Sequence, residues 1–228
     1  IMKRSFIREI LESIDENTIS FAGGLPNEKL FPSEDLKNAT LKIFDNPKVF
    51  QYGISNGISE LREKIAARYT KEGFKTSKEN ILITTGSQQA MYILAKFYES
   101  KDITIEEPSY LGAMNIFRLN HLTMKGVKLE SDGVNLNEFE QSFKNTKLAY
   151  LIPDFQNPSA TTYSDDKREK IAKIVKENDG ILIEDSPYSE LFFDKKNISI
   201  SSKIPKNSFH LGSFSKTLVP SLRIGWIR

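Results

Sequence analysis

The 228-residue sequence contains no cysteine, which excludes disulfides, thiolate metal sites and a cysteine nucleophile. Its two histidines, His121 and His210, lie far apart in the chain and do not suggest a zinc site. No apolar run is long enough to span a bilayer, and the opening IMKRSFIREILESIDEN carries acids among its apolar residues, unlike a secretory leader. Neither sign of charge prevails. The 32 basic and 30 acidic residues leave a formal charge of +2, too little for a field that would draw nucleic acid or an anionic membrane. No repeat, low-complexity tract or compositional break marks a linker. A cytoplasmic location, with no nucleic-acid or membrane partner, is the expectation.

What is present is a hydrophobic share of 39%, enough for a sizeable core. Five short apolar runs, ILITT (81–85), ITIEE (103–107), LAYLI (148–152), ILIED (181–185) and FHLGS (209–213), alternate with helical patterns. Such alternation predicts an α/β fold: three αβα layers around a mostly parallel sheet. One helix is expected over 58–73, where Ile58, Leu61, Ile65 and Tyr69 recur at helical spacing, Glu60 precedes Lys64 by one turn, and Gly73 is the stop. A second is expected over 164–180, capped by Ser164, with Asp165 and Asp166 at its positive end, Ile171, Ile174 and Val175 inward, and Gly180 ending it. A third follows Gly86, with Ala90, Met91, Leu94 and Phe97 as its apolar side. The stretches 21–32, 156–163 and 194–197 read as irregular.

In an open α/β sheet, ligands bind beyond the carboxyl ends of the strands, and several reactive side chains stand there. After ILITT, Gly86 permits a tight turn, and the helix start with Ser87 and Gln88 makes either an anion seat or only a turn. Asp185 closes an apolar strand as the counter-ion of a buried cation or as a helix cap. Asn157 precedes a proline, which is turn chemistry or a ligand amide, and Tyr110 is a core aromatic or the cover of a flat ligand. Lys216 ends FHLGSFS, where it is a solvated lysine or a partly buried amine of depressed pKa, fit to act as a nucleophile. Arg223 lies in the apolar run LRIGWI, where a guanidinium needs an anionic partner and its fork suits a phosphate.

Three chemistries use a lysine so placed. A nucleotide phosphate loop fails, because it needs glycine where Ser215 and His210 stand. Serine acyl transfer through Ser213-x-x-Lys216 lacks its companion K-T-G and S-D-N elements. Pyridoxal phosphate chemistry needs an imine-forming lysine, a carboxylate at the ring nitrogen, a phenol or amide at the ring oxygen and a phosphate clamp, and each has a candidate at a strand end.

The blocks FAGGLPNEKLFP, QYGISNGISELREKIA, TTGSQQA, EEPSYLGA, PDFQNPSATTY, IEDSPYSEL and SFSKTLVPSLRIGW, in this order, resemble fold-type I pyridoxal-phosphate enzymes, specifically class I/II aminotransferases of the 2-aminoadipate and kynurenine aminotransferase kind. The resemblance implies pyridoxal 5′-phosphate as cofactor and an amino acid and a 2-oxo acid as substrates. It implies that Lys216 forms the Schiff base, Asp185 pairs with the pyridine nitrogen, Tyr188 and Asn157 meet the ring oxygen, and Tyr110 stacks on the ring. Ser87, Gln88, Ser213, Ser215 and Arg223 are then the phosphate holders, with Tyr52 reaching the phosphate of the neighbouring subunit in a homodimer. Gly23, Gly24 and Asn157 are the implied substrate-pocket residues. The same resemblance divides the chain into an N-terminal segment, 1–30, and an incomplete cofactor-binding large domain, 31–228, with the C-terminal small domain absent. Weak cofactor binding and slight or no transamination are the matching expectation. The alternative is the aminotransferase-like effector half of a pyridoxal-phosphate-dependent transcriptional regulator.

Overall fold

The structure, a computed structural model, describes residues 15, 17–19 and 24–228; Gly23 and most of segment 1–30 lie outside them. Eight strands form one sheet: β1 (Leu82–Thr84), β2 (Asp102–Glu107), β3 (Thr123–Glu130), β4 (Gly133–Val134), β5 (Leu148–Leu151), β6 (Ile181–Asp185), β7 (Ser208–Ser213) and β8 (Gly225–Ile227). Their spatial order is β1-β8-β7-β6-β5-β2-β3-β4. The five strands from β7 to β3 run parallel, while β8 is antiparallel to both β7 and β1, and β4 is antiparallel to β3. Because the antiparallel β8 stands between β1 and β7, those two again point the same way. Thus β1, β2, β5, β6 and β7 all end on one edge of the sheet.

Helices cover both faces. In chain order they are α1 (Ser33–Phe44), α2 (Ser59–Lys71), α3 (Gly86–Phe97), α4 (Leu111–Leu119), α5 (Leu136–Thr146), α6 (Asp165–Glu177) and the short α7 (Ile200–Lys203). One core joins Ala90, Met91 and Leu94 of α3 and Phe117 of α4 to Ile103, Ile105, Tyr150, Ile183 and Leu211 of the strands. On the opposite face, Phe139, Phe143, Ile171, Val175 and Ile200 pack on Ala149, Leu151 and Leu182. Alternate strand residues go to opposite layers, which is why the central strands read as unbroken apolar runs. A third cluster sets Ile65 and Tyr69 of α2 against Trp226 of β8.

Several local expectations are corrected. Ile58 precedes α2 and is 64% exposed, and Phe97, at the end of α3, is 70% exposed, because each stands where its helix leaves the sheet. Glu60 and Lys64 do not pair; Glu63 binds Lys78 instead, at 2.5 Å. Ser164 does cap α6, its hydroxyl accepting from the Lys167 amide at 3.2 Å. Gly180 is not the residue that turns the chain after α6: Asp179 takes the left-handed conformation, with φ 48°. Gly180 is required for space, since a Cβ there would meet the Phe143 ring at 2.4 Å. Strands β3, β4 and β8 and helices α1, α4, α5 and α7 are additions to the five runs and three helices expected from the sequence.

Candidate active site

Lys216 lies just past β7, and its Nζ donates to the Gly24 carbonyl at 2.6 Å and stands 5.8 Å from the centroid of the Tyr188 ring. It is half-buried, and the loss of water holds its pKa below the ordinary lysine range. The free amine is therefore more accessible than on a surface lysine.

Asp185 closes β6 two positions after Ile183, so both side chains leave the sheet on the face that carries α3 and α4. Its Oδ2 accepts from the Tyr150 hydroxyl at 2.8 Å, and its Oδ1 is buried with no partner. Burial pushes Asp185 up to about 6, against the opposing pull of the Tyr150 hydrogen bond. A buried carboxylate oxygen without a donor is costly and marks where a donor is wanted. Tyr150 was not anticipated: in LAYLI it reads as one more strand residue, and only its hydroxyl, reaching across to the next strand, reveals its part.

Tyr188 follows β6 through a tight turn, and the Asn157 Nδ2 donates to its hydroxyl at 3.5 Å. Burial raises the Tyr188 pKa, and the charge of Asp185 adds to that. Gly24 closes the group: a Cβ there would stand 3.7 Å from Lys216 Nζ and 3.9 Å from the Tyr188 hydroxyl. Tyr110 lies half-buried beyond β2, its hydroxyl accepting from Gln88 Nε2 at 3.2 Å, which ties it to the start of α3.

The opening of α3 and the chain after β7 converge on a cationic corner. Gly86 has φ +77°, and its missing Cβ makes room for Arg223, whose Nη2 would otherwise lie 2.7 Å away. Arg223, itself left-handed with φ 51°, donates to the Ser215 Oγ at 3.3 Å and to the Pro220 carbonyl at 3.1 Å. Its partners are neutral oxygens, in place of the anion its apolar setting called for. Ser213 is buried, and its Oγ accepts from the Ser215 amide at 3.1 Å, shaping the turn that carries Ser215 and Lys216. Ser87 sits in the first turn of α3, where helix amides have no partner within the helix. Tyr52 is 99% exposed and does not line the groove.

An open groove of about 1070 Å³ is lined by Gly24, Tyr110, Asn157 and Tyr188 among others, while Lys216, Asp185 and Arg223 are not among its lining residues. A smaller cavity of about 270 Å³ lies against His210 and Trp226, and of the predicted residues only Ser213 borders it. Trp226 Nε1 donates to the Tyr69 hydroxyl at 2.7 Å, and that hydroxyl meets His210 Nδ1 at 2.7 Å. Burial drives His210 down to about 4, so it serves as a neutral core residue.

A mostly parallel sheet whose strand ends gather a lysine, a partnerless carboxylate oxygen, a phenol with an amide, and a cationic corner at a helix start defines an αβα protein with a candidate ligand site along one edge of its sheet. Comparison with known proteins agrees. Residues 17–228 match the family described as aminotransferase class I and II, and the chain belongs to that family. It is 33% identical to aromatic-amino-acid aminotransferase 1 of Thermococcus litoralis, over 99% of this chain and 58% of that protein. The crystal structure of LysN, the α-aminoadipate aminotransferase of Thermus thermophilus complexed with N-(5′-phosphopyridoxyl)-L-leucine, superimposes with a TM-score of 0.87 at 33% identity, over 99% of this chain and 58% of that one. An uncharacterized HTH-type transcriptional regulator of Escherichia coli, YdcR, is 29% identical over 98% of this chain and 50% of its own length. The chain thus spans about half to three-fifths of the length of the relatives it matches.

Proposed function

We propose that the chain binds pyridoxal 5′-phosphate through Lys216 and belongs to a protein that moves an amino group between an amino acid and a 2-oxo acid. The observation that carries this reading is the buried, partnerless Oδ1 of Asp185 on the same edge as a half-buried lysine amine. An acidic ring N–H is the donor that oxygen lacks. When bound, the cofactor supplies an aldehyde that condenses with amines and an electron-poor ring that takes up the electron pair of a broken Cα–H bond.

The residues act around that chemistry. Lys216, deprotonated more readily than an exposed lysine, offers the amine and later carries a proton at Nζ as base and then acid. Asp185, steered by Tyr150, keeps the ring nitrogen protonated, because a nearby negative charge favours the cationic form. Tyr188 and Asn157 would hold the ring oxygen by hydrogen bonds, and Tyr110 would lie against the ring. Arg223, Ser215, Ser87 and Gln88 hold the phosphate, with Ser213 supporting their turn. Tyr52, fully exposed, is assigned to the phosphate of a second copy in a homodimer. Gly24 is left as a substrate-pocket residue, with Asn157.

Among the described residues lining the groove, none is arginine or lysine, so no cation stands there to hold a substrate carboxylate. Slight turnover by these 228 residues alone is the expected outcome. Borohydride reduction of the chain incubated with pyridoxal 5′-phosphate, followed by peptide mapping, tests the reading: a pyridoxyl adduct on Lys216 alone supports it, and adducts scattered over surface lysines refute it. The likeness to YdcR supports a second reading, the effector half of a regulator. A helix-turn-helix encoded upstream in the same gene decides for it.

A further inference from the structure

The wall of the groove contains a polar assembly, built on Glu106 and Gln156, that none of the roles above uses. Glu106 and Gln156 are each 1% exposed, as is Tyr163. Gln156 Nε2 donates to Glu106 Oε2 at 3.0 Å and to the Pro108 carbonyl at 2.9 Å. Its Oε1 accepts from the Ser159 amide at 2.9 Å and from the Ser159 hydroxyl at 2.7 Å. Both donors and both lone pairs of the amide are thereby used, so the group has one orientation. Glu106 Oε1 in turn accepts from the Ile152 amide at 3.0 Å and the Tyr163 hydroxyl at 2.7 Å, which fixes the carboxylate to the end of β5.

The chain positions matter more than the bond count. Pro108 and Ser109 lead into Tyr110, and Gln156 and Ser159 flank Asn157. The amide of Gln156 therefore joins the loop after β2 to the loop after β5, with Glu106 as the anchor. We propose that Glu106 and Gln156 are positioning residues that lock Tyr110 and Asn157 into one mutual geometry, setting the face cover and the edge contact of the cofactor ring together. This rests on the cofactor reading above. Burial pushes Glu106 up to about 7, against the opposing pull of Gln156, Tyr163 and Ile152, whose hydrogen bonds favour the charged form.

Polarity makes the brace specific. In Glu106→Gln a donor must face either the Gln156 amide or the Ile152 amide; in Gln156→Glu two carboxyl groups meet and the Pro108 carbonyl loses its donor. The double swap restores one hydrogen bond between the two positions but leaves Pro108 without a donor. Tyr163→Phe is the control, since it removes a partner of the same carboxylate without touching Gln156.

The test is amide hydrogen exchange over residues 109–112 and 157–161, with pyridoxal 5′-phosphate titrated by absorbance into each variant. Either single variant is expected to speed exchange in both segments and to weaken cofactor affinity about tenfold or more, while Tyr163→Phe leaves both near the parent. The double swap is expected to recover protection at 157–161 and not at 109–112. Faster exchange confined to one segment, unchanged cofactor affinity in the single variants, or an equal effect from Tyr163→Phe overturns the proposal. Gln156→Glu serves if Glu106→Gln folds poorly. A parent chain that forms no Lys216 adduct sinks the cofactor reading, and the positioning role with it; exchange in the variants registers independently whether the two loops are joined.

Discussion

Asp185 shows how a site advertises itself through an unpaid cost. Its ordinary pKa of 3.8 rises to about 6 in the folded chain, so between those values the folded state holds a proton that the unfolded state releases. The stability tied to this group is present below about pH 4 and is lost as pH rises through about 6. Asp185→Asn removes the titration and keeps an oxygen for Tyr150. Its stability advantage over the parent, measured by urea unfolding, is expected to widen by roughly 3 kcal/mol from pH 4 to pH 8. A gap independent of pH argues against a buried, unpaired carboxylate. The same variant is expected to bind cofactor less well, which is the signature of a residue kept for function at the expense of stability. Tyr69 is the contrasting case: its hydroxyl satisfies both Trp226 and His210 in the core. Tyr69→Phe strands two buried polar groups and is expected to cost about 1–3 kcal/mol in the same assay, with no change in the Lys216 adduct.

At the scale of elements, the site depends on how strands hand over to loops and helices. The turn from β1 into α3 works because Gly86 has a left-handed backbone and no Cβ, and Arg223 fills the space. Gly86→Ala is expected to displace that guanidinium and weaken pyridoxal 5′-phosphate binding by about tenfold or more, read by absorbance titration. It should also lower the unfolding free energy by about 1 kcal/mol or more, because alanine resists this φ. The loop after β5 is held by a buried cation, unlike the exposed Arg223. Arg168 of α6 is fully buried, and donates to Asp154 Oδ1 at 2.7 Å and to the Pro153 carbonyl at 2.9 Å. Arg168→Leu would leave the Asp154 charge uncompensated and is expected to cost about 3–5 kcal/mol, seen as a lower midpoint in urea.

At the scale of the molecule, residues 24–58 stand apart from the rest: none is buried. Leu30, Phe44, Phe50 and Tyr52 are 79%, 62%, 65% and 99% exposed, an apolar series that a single chain leaves in water. Burying such side chains stabilises by about 1.5–3 kcal/mol each, enough to drive association. Sedimentation equilibrium is expected to report a dimer, and Phe44→Asp with Phe50→Asp to shift it to monomer. A parent chain that stays monomeric at tens of micromolar counts against the homodimer.

The sequence alone determined the layer architecture, because strands buried on both faces must be apolar throughout and crossover helices must carry a one-sided stripe. It also put forward candidate reactive groups, since Lys216, Asp185, Asn157 and Tyr188 each stand at or soon after the end of a recognisable run. What it left open was every relation between residues distant in the chain. Nothing in LAYLI says that the Tyr150 hydroxyl meets Asp185, and nothing in ITIEE says that Glu106 bears on Gln156. The same applies to Arg223, whose place beside Gly86 needs β8 inserted next to β1. Those choices belong to the tertiary structure, because strand order and register bring together groups that local periodicity cannot relate, and only there do burial and missing partners acquire a cost.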